Sequence, residues 1–261
     1  MKVVLFCGGL GTRLREYTEA IPKPMVRIGH QPILWYVMKY YAHFGHTDFI
    51  LCLGYRGEVI KEYFLNYNEC LANDFVMQNG QASPRVVYSD IRKWNITFVD
   101  TGQNTNIGQR LMAVRKYVEG EDMFLANYSD GLSDLPLDIY LDFMRKENRI
   151  AGFISVKPNQ TFHVVQTDRS HLVTDIAHVE ESVRINGGFF AFRGDIFAYM
   201  KPNEELVDQP FQRLIEKKQL IAYPYDGFWK CMDTFKDKQQ FEDLYASGQT
   251  PWVIWNQESV K

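Results

Sequence analysis

The feature that most constrains this chain is a short apolar run that breaks straight into glycines: Val3-Val4-Leu5-Phe6-Cys7, then Gly8-Gly9-Leu10-Gly11-Thr12-Arg13-Leu14. So short a run of β-branched and large apolar residues reads as a strand buried on both faces. Glycines at its end let backbone N–H groups turn inward on an anion with no Cβ in the way, so phosphate is the natural guest. The bland alternative is a tight turn with Arg13 in solvent. Two familiar phosphate loops are excluded by spacing. The order is GGxGxR rather than GxGxxG, and the second apolar run ends in Leu53-Gly54-Tyr55 where a dinucleotide site needs an acid. GxxxxGK[ST] does not occur either. Farther on, Lys23 stands between Pro22 and Pro24, whose fixed φ stiffens both flanks and holds one cation in place.

The alternation of short apolar runs with longer helix-period segments continues along the chain, which is the α/β signature. Strands are expected at 3–7, 48–53, 96–99, 123–127, 152–156 and 188–192, and helices at 32–44, 59–67, 137–146 and 211–218. Between about 72 and 93 the period is lost, as in an irregular excursion or an extra hairpin. Beyond about Arg193 the alternation loosens and the end turns aromatic, with Phe228, Trp229, Phe235, Phe241, Tyr245, Trp252 and Trp255. A single domain over 1–261 is expected, with 193–261 a C-terminal subregion packed on it or a subunit contact.

Composition narrows the partners. With 29 Lys+Arg against 32 Asp+Glu the net charge is −3, which lacks the basic footprint of a nucleic-acid binder. No apolar run approaches the roughly 18–20 residues of a membrane span, and the opening apolar stretch is shorter than a signal h-region of about 7–15 residues. Neither nucleic acid nor membrane is an expected partner. The 4 cysteines are scattered with no CxxC pair, and the 6 histidines form no HExxH or HxxxH pair, so zinc and disulfide frameworks are not indicated and a reducing cytoplasm is the expected compartment. A GxSxG nucleophile elbow is also missing.

Two acids stand out. Asp130 closes the fourth apolar run in Tyr128-Ser129-Asp130-Gly131, where ligands gather in open α/β sheets, and Asp233 follows Gly227-Phe228-Trp229 within Met232-Asp233-Thr234. Two hard oxygen ligands, with phosphates and water completing the shell, suit Mg2+ in nucleotide chemistry. Each taken alone also reads as a cap or turn residue. Ile185-Asn186-Gly187-Gly188 offers an amide and exposed backbone that could read sugar hydroxyls or form a simple turn.

Taken together, Gly8 to Leu14, Pro22-Lys23-Pro24-Met25, Pro32-Ile33-Leu34-Trp35, Val99-Asp100-Thr101-Gly102, Ser129-Asp130-Gly131, the Asn186 segment and Gly227 to Thr234 resemble the sugar-1-phosphate nucleotidyltransferases. The likeness runs over 1–255 and is nearest to the glucose-1-phosphate cytidylyltransferases, with UTP-using UDP-glucose pyrophosphorylases as relatives. It implies a Rossmann-like three-layer α/β fold with a mixed central sheet, a need for Mg2+, a homo-oligomer, and the exchange of a pyrimidine NTP and a sugar 1-phosphate for an NDP-sugar and pyrophosphate. By position in the motifs, it implies that Arg13 clamps pyrophosphate, Lys23 the α-phosphate, and Asp130 with Asp233 the metal. Gly8, Gly9, Gly11 and Thr12 would surround the nucleotide, as would Gly108 and Arg110 by a looser match, and Asn186 and Gly187 would face the hexose. One departure falls on the sugar side. Where the family has Glu-Lys-Pro, this chain reads His178-Val179-Glu180-Glu181-Ser182-Val183-Arg184, so the lysine is missing; Arg184 could supply the cation from a shorter loop, and Glu180 or Glu181 could take a sugar hydroxyl. UTP and CTP both remain open, with glucose 1-phosphate the favoured acceptor. The alternatives are a non-catalytic nucleotide-sugar-binding regulator, another sugar 1-phosphate, or a purine NTP.

Overall fold

Alternate residues of neighbouring strands divide between two cores, which makes the chain a three-layer structure. In β1 (Lys2–Phe6) Val3 and Leu5 enter one core and Val4 and Phe6 the other. In β2 (Asp48–Leu53) Phe49, Leu51 and Leu53 oppose Ile50 and Cys52. β3 (Asn95–Asp100) is the edge strand beside β2 and stays half-exposed, so its apolar run does not mean burial on both faces as β1 and β2 do. β4 (Met123–Tyr128) repeats the division, with Met123 and Leu125 against Phe124 and Ala126. The computed structural model describes residues 1–9, 21–78, 85–86, 91–158, 163–178 and 183–255.

Further strands are β5 (Gly131–Ser133), β6 (Ala151–Val156), β7 (His163–Thr167), β8 (Val173–His178), β9 (Ile185–Asn186), β10 (Phe190–Arg193), β11 (Leu220–Pro224) and β12 (Trp229–Cys231). The main sheet has eight strands and runs β11-β6-β10-β4-β1-β2-β3, with β9 pairing the far half of the β6 edge that β10 occupies. β1, β2, β3 and β4 are mutually parallel, and β11 is parallel to β6. β10 runs antiparallel to both β4 and β6, so the sheet is mixed.

Helices cover both faces. α1 (Ile33–His43) and α2 (Gly57–Leu65) lie on the first core, α3 (Ile107–Ala113) on the second, α4 (Leu137–Glu147) on the first, α5 (Gln209–Glu216) on the second, and α6 (Phe235–Ala246) on the first. The aromatic end packs inward on its own chain. Trp252, 1% exposed, meets Tyr36, Phe228 and Phe241, and Trp255 meets Trp35 and Tyr36. No described helix is long and apolar enough to cross a membrane.

Several elements depart from the sequence expectation, among them β5, β11, β12 and α6, where it places no strand or helix. The strand expected at 188–192 begins later, because Gly188 (φ +74) and Phe189 (φ +51) are left-handed and bend the chain between β9 and β10. The stretch after residue 72 agrees with the extra hairpin offered for it, since Phe75–Val76 pairs antiparallel with Arg85–Val86. The β7–β8 hairpin and α3 were not expected; α3 has little apolar period but carries an Asn106–Gln109 capping box, a readable start signal.

Candidate active site

Asp130 and Asp233 meet because β5 pairs with β12. The register sets Gly131 opposite Cys231, and the Met232 N–H donates to the Asp130 carbonyl at 2.9 Å, which brings the two flanking acids side by side. Asp233 is further held from behind, since its N–H donates at 3.1 Å to Asp237, the carboxylate of the Thr234–Asp237 capping box that starts α6. Lys23 approaches from a 3-10 turn, Lys23–Met25, closed by Met25 N–H to the Pro22 carbonyl at 2.8 Å. Its ammonium donates to Asp130 Oδ2 at 2.5 Å and to Asp233 Oδ1 at 2.6 Å. Burial by itself lowers the pKa of this ammonium, but Asp130 and Asp233 outweigh it and hold the pKa above the ordinary lysine value, so Lys23 is a fixed positive charge.

Two clefts open from this junction. The first, about 270 Å³, is lined by Gly8, Gly9, Lys23, Ile107, Ser129 and Asp130 among others. The second, about 280 Å³, is lined by Asn127, Asn186, Gly187, Trp229 and Cys231. Tyr128, Asp130 and Asp233 line both clefts, so they form the partition between them. The Tyr128 phenol is pushed up to about 12, by burial first and then by Glu205 and Asp130, and it stays protonated at neutral pH. Ser129, also in the first cleft, is tied by its hydroxyl to the Phe6 carbonyl at 2.8 Å.

Arg110 lies directly behind the glycine loop. It is fully buried, and a Cβ on Gly8 would overlap its guanidinium. Its Nη1 donates to the Leu53 carbonyl at 3.0 Å and to Thr101 Oγ1 at 2.7 Å, its Nη2 to the Gln103 carbonyl at 3.4 Å, and its Nε–H is unsatisfied. Burial lowers its pKa, with Asp100 among the groups that oppose this. Among the described residues no carboxylate is ion-paired with it. Gly108 sits elsewhere: it packs α3 on the 204–206 turn, where a Cβ would overlap the Glu204 carbonyl oxygen. Its neighbour Ile107 is the α3 residue in the first cleft. Gly11, Thr12 and Arg13 lie outside the described residues.

In the second cleft, Asn186 Oδ1 accepts from Gly188 N–H at 2.9 Å, while its Nδ2 faces the Tyr128 hydroxyl at 3.5 Å. Gly187 is wedged against Ile154 and Val156, where a Cβ would lie 2.8–3.1 Å from their side chains, and its carbonyl accepts from Trp229 Nε1 at 2.8 Å. Arg184 does not line the second cleft. Its guanidinium donates to the Ser155 carbonyl at 2.7 Å and to Asp226 at 2.5 Å, which fixes it outside the cleft at the end of β6. Glu180 lies outside the described residues. Tyr128 and Trp229 were not singled out as cleft residues in the sequence; their place in YSDG and GFW, beside the two acids, is the signal that could have found them.

The two carboxylates fit a hard divalent cation. One ammonium reaches both, so one cation can as well, and both supply oxygen only. Among the described residues no group of three or more His, Cys, Asp or Glu could hold a metal, so the remaining positions would fall to phosphates and water.

A family model described as nucleotidyl transferase matches residues 2–240. The chain is 37% identical over 257 residues to the glucose-1-phosphate cytidylyltransferase of Salmonella typhi, covering 98% of this chain and 100% of the relative. The enzyme of the same name from Salmonella typhimurium (strain LT2) is likewise 37% identical, over 258 residues, with 98% and 100% covered. Among solved structures, apo-UDP-glucose pyrophosphorylase superposes with a TM-score of 0.71 at 18% identity over 96% of this chain and 100% of that one, a likeness of fold.

Proposed function

Since the chain belongs to the nucleotidyl transferase family and is an enzyme of that class, we propose that it is a Mg2+-dependent glucose-1-phosphate cytidylyltransferase, converting CTP and glucose 1-phosphate to CDP-glucose and pyrophosphate. The observation that carries the reading is the junction itself: Lys23, Asp130 and Asp233 converge at the partition between two clefts, one floored by glycine backbone and one by an amide, a tryptophan and backbone. CTP is favoured over UTP by the near full-length identity to cytidylyltransferases.

In this reaction a phosphate oxygen of the sugar attacks the α-phosphorus in line, and the bond to the β-phosphate oxygen breaks with its electron pair leaving on pyrophosphate. The attacking oxygen is already anionic, so no general base is required, and catalysis is alignment and charge neutralisation. Gly8 and Gly9 give the nucleotide phosphates close backbone, joined by Gly11 and Thr12, while Arg110 supplies a buried positive charge behind them. Lys23 neutralises the α-phosphate and Arg13 the departing pyrophosphate. Asp130 and Asp233 would hold Mg2+, which would supply positive charge to the phosphates when bound. Asn186 and Gly187 orient the hexose, with Tyr128 between the two substrates. Arg184 supports the rim at Asp226, and Glu180 takes a sugar hydroxyl. The chain works as one domain over 1–261 with 193–261 packed on it, in the cytoplasm, as a homo-oligomer. The exposed apolar side chains Val165, Val173 and Ile176 of the β7–β8 hairpin support a subunit contact.

Pyrophosphate release is the test, run with each of the five common NTPs against glucose, galactose and mannose 1-phosphates with Mg2+. CTP with glucose 1-phosphate is expected to be fastest. A faster rate with UTP or a purine NTP would overturn the base assignment, and nucleotide binding with no exchange for any pair would favour a regulatory binder.

A further inference from the structure

Resting on the metal assignment above, we propose that Lys23 is the resident counter-ion of Asp130 and Asp233 in the nucleotide-free enzyme, so that metal loads only when a nucleotide draws the ammonium away. The ammonium occupies the space between the two carboxylates and donates to one oxygen of each, at 2.5 and 2.6 Å. A divalent cation at those oxygens would sit beside a like charge, and at such separations the repulsion is of the same order as the attraction of a carboxylate. Metal and ammonium therefore compete for the same pair.

The backbone of Lys23 is in no position to yield. It lies between Pro22 and Pro24 in a closed turn, with Met25 and Val26 buried behind it. Only the side-chain torsions can carry the ammonium off, and the direction open to it is the first cleft, which Lys23 itself lines together with Gly8 and Gly9. A triphosphate bound there offers the ammonium a new anionic partner and brings further oxygens for the metal. Metal alone offers neither. The consequence is coupled entry: the carboxylate pair is satisfied and metal-poor at rest, and becomes a metal site when nucleotide arrives.

The test is Mn2+ binding to the full chain, read from the electron paramagnetic resonance of free Mn2+, with no turnover involved. Wild-type protein is expected to bind Mn2+ alone weakly, and at least tenfold more tightly with α,β-methylene CTP present, after the Mn2+ that the analogue holds in protein-free solution is subtracted. Lys23→Met should bind Mn2+ alone at least tenfold more tightly than wild type. Lys23→Gln, neutral and still polar, should do the same and serves if the methionine variant folds poorly. A second readout is thermal: the Lys23→Met midpoint should fall in EDTA and recover with Mn2+ alone, while the wild-type midpoint ignores Mn2+ alone. Mn2+ affinity in both Lys23 variants equal to or below wild type would overturn the proposal while leaving the metal site standing. Undiminished Mn2+ uptake by Asp130→Asn and Asp233→Asn with the analogue would instead remove the metal assignment, and the proposal with it.

Discussion

Replacing Gly8 by alanine tests whether the glycine is there for backbone room or for the arginine behind it. A Cβ at this position would overlap the Arg110 guanidinium, the far end of a flexible side chain but one that is fully buried and tied on three sides. The guanidinium must shift, and the shift strains the Nη1 bonds to the Leu53 carbonyl and Thr101 Oγ1. Losing one hydrogen bond to a charged group costs about 1.5–3 kcal/mol. Alanine also narrows the unfolded ensemble, which returns about 0.4–1 kcal/mol. The net expectation is a loss of about 0.5–2.6 kcal/mol. Gly9 is the internal control, since a Cβ there meets nothing within 4 Å. Urea unfolding of wild type, Gly8→Ala and Gly9→Ala at one pH measures the difference, with Gly9→Ala at or up to about 1 kcal/mol above wild type, since it takes the same unfolded-state gain without the overlap. Nucleotide affinity should fall in Gly8→Ala as the buried charge moves. Equal stability of the two variants, with unchanged CTP affinity, would show that Arg110 does not depend on the bare Gly8 and that the charge behind the loop is misplaced.

Asp130→Asn and Asp233→Asn should each lower turnover by about a thousandfold or more with the far-UV spectrum unchanged, checked by pyrophosphate release at saturating substrates. Thr101→Val removes the hydroxyl shared between Arg110 and the Leu53 carbonyl and should cost about 1–3 kcal/mol by urea unfolding, less than additively with Gly8→Ala because both act on one guanidinium. Trp252→Ala empties a fully buried ring site on α1 and α6 and should cost about 3–5 kcal/mol. His46 titrates at about 4 rather than 6.5, from burial first and then from the N-terminal ammonium and Arg145. Its folded value is depressed, so the stability it contributes is present above pH 6.5 and is lost as pH falls from 6.5 through about 4. His46→Gln should flatten the stability profile in that window, measured by urea midpoints at pH 7 and pH 4.5; an unaltered slope would exclude His46 as the source.

The sheet was legible where strands are buried on both faces. Val3 to Cys7, Phe49 to Leu53 and Met123 to Ala126 are continuous apolar runs because two cores demand both parities of residue, and that demand writes itself into the sequence. Ala151 to Val156 was found nearly as well. The hairpin of β7 and β8 was not, since its Val165 and Ile176 face solvent and no core imposes a period on their neighbours. At the site, motif likeness named Lys23, Asp130 and Asp233, but their convergence depends on a ribbon between β5 and β12 whose partners are far apart in sequence. Pairing of that kind leaves no local mark. The charge of Arg110 was likewise nameable by position, whereas its burial against Gly8 depends on three backbone segments meeting. Gly108 illustrates the converse: a glycine beside a nucleotide motif whose bareness serves helix packing.

The β5–β12 ribbon also sets the order in which the protein becomes competent during synthesis. A nascent chain that has emerged as far as α4 already carries the glycine loop, Lys23 and Asp130, together with the parallel strands that align them. It lacks the strand that delivers Asp233, which comes only after the whole β6 to β11 region. Until β12 docks, Lys23 has one carboxylate instead of two, and β5 has an open edge waiting for a partner. The last strand added to this molecule thus performs two tasks in one pairing event: it seals that edge and brings in the acid that completes the site.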